Sequence, residues 1–163
     1  MERCLSHYFH ARRLGFEPLN LPEALQAESQ RLAGADEALR PAGSRHRGHQ
    51  ENSYYARSCY EVQLRRYLRY FRRDQLLVLK SETFFEEPAR LLQELLAWLG
   101  VNEMPLIDAL PKANAGAGEA DDVPAAWRQQ LRERLDPTYQ SLARDWGIKW
   151  NSTAENEWPN LKI

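Results

Sequence analysis

Asp74-Gln75-Leu76-Leu77-Val78-Leu79-Lys80-Ser81-Glu82 is the stretch on which the fold class turns. Four consecutive apolar residues follow a polar turn and run into charge. So short and continuous a run suits a strand buried on both faces, as in a parallel sheet. Upstream, Ser53 caps a helix predicted to run to about Arg72. Tyr60, Leu64, Tyr67, Leu68 and Phe71 fall on one of its faces at i, i+4, i+7, i+8 and i+11. Downstream, Glu86-Glu87-Pro88 place acids and a proline in a first helical turn, where the dipole and the missing N–H are tolerated. Leu91, Leu92, Leu95, Leu96 and Leu99 form the stripe of that helix and Gly100 its stop. Helix, buried strand, helix is half of an α/β layer arrangement, whose partner strands must come from elsewhere.

Residues 2–14 read as an amphipathic helix built on Leu5, Tyr8, Phe9 and Ala11 and closed by Gly15. Asn20-Leu21-Pro22-Glu23 reads as a capping box opening a second helix that stops near Gly34. Residues 40–53 are polar and basic without apolar period, which predicts a loop, either disordered or shaped by a ligand. Residues 101–123 read as loop. A last helix is predicted from about Val123 to Trp146, broken by Pro137 into two segments. Residues 151–163 read as a C-terminal tail.

With 163 residues the chain is one domain or part of one. A net charge of −1 removes any global attraction to nucleic acid or an anionic membrane. The apolar runs are far too short for a membrane span. Two cysteines, Cys4 and Cys59, make no disulfide framework, so a reducing, cytoplasmic setting is expected. The run from Arg65 to Arg73 interleaves arginine with aromatics. It reads as an amphipathic helix with a solvated basic face, and no nucleic-acid partner is expected. His46-Arg47-Gly48-His49 has no Cys or carboxylate partner at metal-ligand spacing.

Glu2-Arg3-Cys4-Leu5-Ser6-His7-Tyr8 resembles the second half of Arg-x-Pro-x-Glu-Arg-x-x-Ser-x-Tyr. That signature belongs to sulfotransferases that use 3′-phosphoadenosine 5′-phosphosulfate (PAPS). Tyr54-Tyr55-Ala56-Arg57-Ser58-Cys59-Tyr60-Glu61-Val62-Gln63-Leu64 resembles the family's Tyr-x-x-Arg-(Gly/Ser)-x-Tyr-x-x-Gln-Leu block. Leu77 to Glu82 with Glu87-Pro88, and Leu96-Ala97-Trp98-Leu99-Gly100, resemble the module that follows. The blocks keep the family's order over about residues 1–150, read as a partial sulfotransferase domain like those of bacterial and heparan-sulfate-type members.

The resemblance implies an α/β fold, of which this chain carries the mainly helical C-terminal portion of a phosphate-loop-like parallel sheet flanked by helices. It implies PAPS as cofactor and transfer of a sulfuryl group to a hydroxyl or amine, a glycan among the acceptors. It puts Ser6 at the 3′-phosphate and Arg3 beside it, Ser81 beside the adenine, and Lys112 and Asn114 in a loop over the phosphate. His46 and His49 fall in an acceptor-facing loop, with Arg57 and Tyr60 on the acceptor wall. The family's phosphosulfate loop and general base precede the opening motif, so no catalytic residue is assigned and the chain alone is expected to be inactive. A fragment without its first strands is expected to expose apolar surface from 54–71 and 88–99, and so to dimerise or dissolve poorly. A non-catalytic helical interaction module is the alternative reading.

Overall fold

In the computed structural model the described residues, 1–102 and 122–150, form helices and turns, with no strand among them. They divide into two compact units, 1–66 with 122–150, and 67–102.

The first unit begins with α1, Glu2–Arg13. Cys4, Leu5, Tyr8 and Ala11 lie on one face and are buried, while Arg3, Ser6, His10 and Arg13 lie on the exposed one. Gly15 then turns the chain at φ 74°, a left-handed conformation that glycine adopts without penalty. α2, Leu21–Arg31, opens on the predicted capping box. Asn20 Oδ1 accepts from the Glu23 amide at 3.0 Å, and Glu23 accepts from the Asn20 amide at 3.3 Å. Short helices follow: α3, Ala35–Ala38; α4, Arg47–Glu51; α5, Tyr55–Ser58; and α6, Tyr60–Tyr67. α9, Ala125–Trp146, closes the unit and buries Leu131, Leu135, Thr138 and Leu142 at i, i+4, i+7 and i+11. Leu131, with Val123 and Tyr54, completes the core that α1 and α2 begin.

In the second unit a 3₁₀ turn at Arg73–Gln75 leads through an extended connector into α7, Ser81–Glu86, and α8, Pro88–Leu99. Among its described residues, Thr83 and Leu91 are the most buried side chains. Pro88 starts α8 where its missing N–H costs no bond. Arg90 pairs with Glu87 and, at 2.6 Å, with Glu94 on the exposed side.

The parallel-sheet α/β class is overturned: the described residues are helical. The run that decided it is extended, with Leu76 at φ −118° and ψ 114°, but Leu76–Leu79 joins no β-ladder among the described residues. These residues are half-buried, not enclosed on both faces. A four-residue apolar run is satisfied equally by one-sided packing of a connector, and periodicity alone does not separate the two.

Three further expectations are corrected. The helix predicted over 53–72 is broken at Cys59 (φ −80°, ψ 72°) and ends at Tyr67. Tyr67, Leu68 and Phe71, expected on its buried face, are 55%, 41% and 46% exposed. The loop predicted over 40–53 contains α4. Pro137 does not divide α9. Its ring removes the bond to the Glu133 carbonyl, but Pro137 and Glu133 both lie on the exposed side, where water can serve the freed group. The helices of 2–14 and 21–34 form close to where the pattern places them.

Candidate functional site

α4 and α5 owe their placement to polar side chains, since neither has an apolar stripe. His46 caps α4, its Nδ1 accepting from the His49 amide at 3.1 Å. At the other end, the His49 carbonyl accepts from Ser53 Oγ at 2.6 Å and from the Arg57 guanidinium at 2.9 Å. Donors belong at a helix C-terminus, where carbonyls lack intrahelical partners. Gly48 sits so close to the Arg31 carbonyl that a Cβ there would collide with it. α4 is thereby seated on the end of α2.

The strand of chain between α4 and α5 is held from below by two buried acids. Glu17 is 3% exposed. Its carboxylate accepts from Arg31 at 2.5 and 3.1 Å, from the Leu19 amide at 2.9 Å and from the Tyr54 hydroxyl at 2.8 Å, with Asn52 at 3.4 Å. Burial pushes its pKa up, but these donors outweigh burial and hold it below the ordinary carboxylate value. Glu28, 4% exposed, receives the Tyr55 amide at 2.9 Å and the Ala56 amide at 2.8 Å, and so serves the free donors at the start of α5. Here burial outweighs the bonds and the pKa is raised.

These contacts bring the 53–58 segment against α1. The His7 ring stands edge-on to Tyr54 at 5.2 Å between centroids, and Tyr8 does so at 5.7 Å. His7 lies where the buried face of α1 meets its Arg3–His10 side, and its Nδ1 is buried with no hydrogen-bond partner. Its pKa is lowered, first by burial, then by Arg57, with His10 adding to the effect and the Ser53 backbone opposing it. His49 is lowered by burial, then by Arg57, Arg66 and His46; Asp36 opposes. Arg66 pairs with Asp36 at 2.7 Å. The exposed Arg57 thus lies close enough to His7 and His49 to lower the pKa of both imidazoles. Such an arrangement can take an anion and gain protons as it does so.

The residues marked by sequence divide accordingly. His46, His49 and Arg57 come together. Ser6 and Arg3 are exposed on the adjoining helix α1. Tyr60 instead stacks on Trp150, with centroids 6.5 Å apart and planes at 19°, a packing contact. Ser81 starts α7 in the second unit, its hydroxyl 3.3 Å from Glu82. Lys112 and Asn114 lie outside the described residues. Sequence reasoning missed His7, Ser53, Glu17 and Glu28. His7 and Ser53 sit beside motif residues, and that adjacency was the available signal. Glu17 and Glu28 carry none, because a buried acid and an exposed one look alike without the fold. Among the described residues no cluster of His, Cys, Asp or Glu could hold a metal ion, and no helix is long and apolar enough to cross a membrane.

Comparison with known proteins finds no matching family model, no matching curated protein and no matching solved structure.

Proposed function

We propose that this chain supplies phosphate-binding and acceptor-facing side chains to a PAPS-dependent sulfotransferase. The observation that carries the reading is the meeting of two motif blocks distant in sequence. The Glu-Arg-x-x-Ser-His-Tyr helix packs on the Tyr-x-x-Arg-Ser segment through His7, Tyr8 and Tyr54. Arg57 of the second block then lies near enough to His7 of the first to depress its pKa. In this reading Ser6, Arg3 and His7 face the 3′-phosphate of the donor, while Arg57, His46 and His49 line the acceptor side. Sulfuryl transfer breaks the bond between sulfur and the bridging phosphate oxygen and forms one to the acceptor oxygen or nitrogen. The groups named here bind and orient; none is assigned the acceptor's proton. Cys4 and Cys59 are free and buried. Burial first, then Glu28, pushes the Cys4 thiol up to about 12, which makes it an inert thiol.

Calorimetric titration with 3′-phosphoadenosine 5′-phosphate tests the proposal. The unsubstituted chain is expected to bind. Arg57→Ala and Ser6→Ala, both at exposed positions, should each weaken binding by roughly tenfold, the size of one hydrogen bond to a charged group. No binding, or equal binding by all three proteins, removes the site and favours the alternative of a non-catalytic helical interaction module.

A further inference from the structure

Between α2 and α9 lies a cleft of about 460 Å³ whose residues are separate from the His–Arg cluster. Leu25, 6% exposed, and Trp127, half-buried against the same core, give it an apolar wall. Gln26, Ser29 and Gln130 also line it, and among the described residues these three side chains hydrogen-bond to no protein group. Arg134 completes the lining. Its guanidinium lies over the Tyr55 ring, 4.1 Å from the centroid. That contact uses the flat face of the guanidinium and leaves its N–H edges for an acceptor. Glu28, an acid near enough to interact with Arg134, is already engaged by the Tyr55 and Ala56 amides. Among the described residues no carboxylate lines the cleft.

Two amides and a hydroxyl with unused hydrogen-bonding capacity, set around an indole and a leucine, match a ligand with several hydroxyls and apolar C–H faces. A cation with no carboxylate hydrogen-bonded to it among the described residues adds a preference for negative charge. We propose that this cleft binds a saccharide carrying an anionic substituent, a carboxylate or a sulfate. Gln26, Ser29 and Gln130 meet ring hydroxyls, Trp127 meets a C–H face, and Arg134 meets the anion. The inference stands apart from the nucleotide reading, since the two sites share no residue and each titration can fail alone.

Calorimetry with three probes decides it: a uronic-acid disaccharide, its O-sulfated form, and a neutral glucose disaccharide. At least one acidic probe should bind in the millimolar range or tighter, the neutral one at least about fivefold more weakly, and the ratio between the acidic probes identifies the preferred anion. The double variant Gln26→Ala/Gln130→Ala, at two exposed positions, should keep its helical circular dichroism and weaken acidic-probe binding about tenfold. Arg134→Gln should remove the preference for acidic over neutral sugar. Absence of heat with both acidic probes overturns the proposal. So does equal affinity for the neutral sugar, or undiminished binding by the folded double variant.

Discussion

Glu17 shows how much one buried residue can organise. Its two oxygens gather Arg31 from α2, the Leu19 amide from the turn, and the Tyr54 hydroxyl and Asn52 amide from the segment before α5. The charge is tolerated because its lone pairs are occupied, and the depressed pKa means that folding favours the ionised form. Two substitutions probe this. Tyr54→Phe keeps the ring between His7 and Tyr8 but removes a donor from a buried carboxylate, and should cost about 1.5–3 kcal/mol in urea unfolding. Glu17→Gln turns an amide NH₂ towards the Arg31 and Leu19 donors and should cost at least as much. An unfolding midpoint unchanged in both proteins would mean that the network contributes nothing to stability. Nothing in the local sequence around Glu17 distinguishes it from a solvated acid. Its partners lie as far as 37 residues away in the chain, and only the fold brings them together.

At the scale of the element, helices with local signals were legible and those with distant ones were not. The Asn20–Glu23 box and the glycine after α1 are instructions contained within a few residues, and both are followed. α4 has no apolar period to read. It forms because His46 caps it, Ser53 and Arg57 close it, and Gly48 lets its backbone approach α2. The long helix expected over 53–72 failed for the converse reason. Its periodic stripe was real, but Cys59 adopts a non-helical conformation there and the stripe beyond Tyr67 is left exposed. The Gly48 contact is directly testable. Gly48→Ala is compatible with a helical backbone, yet its methyl would meet the Arg31 carbonyl, which belongs to a rigid helix end. The clash should cost about 1–3 kcal/mol and shift the NMR signals of His46, His49 and Arg57 together. A variant as stable as the parent, with those signals unmoved, would show that α4 is not seated on α2.

At the scale of the molecule, the fold class was misread, whereas His46, His49 and Arg57 do come together. The cause is the same in both cases. Layer architecture depends on what lies beside Leu76–Leu79, which no reading of those residues contains. The His46–His49–Arg57 grouping depends on short-range contacts within one segment, which sequence proximity already implies. The titrating groups of that segment and of the acids beneath it set how stability varies with pH. His7 and His49 have folded pKa values below their ordinary 6.5. Below 6.5, and down to those lowered values, the unfolded chain therefore binds more protons than the folded one, and stability falls as pH falls. Glu17 acts in the same direction lower down, below 4.5, because its folded pKa is also depressed. Glu28 opposes them. Its pKa is raised above 4.5, so the folded state holds its proton more tightly, and this contribution fades as pH rises through that interval. The first loss on acidification should thus come from the histidines, whose window lies nearest neutrality. Urea unfolding followed from neutral pH to just below 6.5 should show stability decreasing with pH, and the variant His7→Gln/His49→Gln should flatten that segment of the curve. Phosphate present during the titration should reduce the slope in the parent protein, because an anion bound at Arg57 raises the imidazole pKa values back towards 6.5. A parent slope of the opposite sign, or one that survives loss of both histidines, would separate these imidazoles from the stability of the fold.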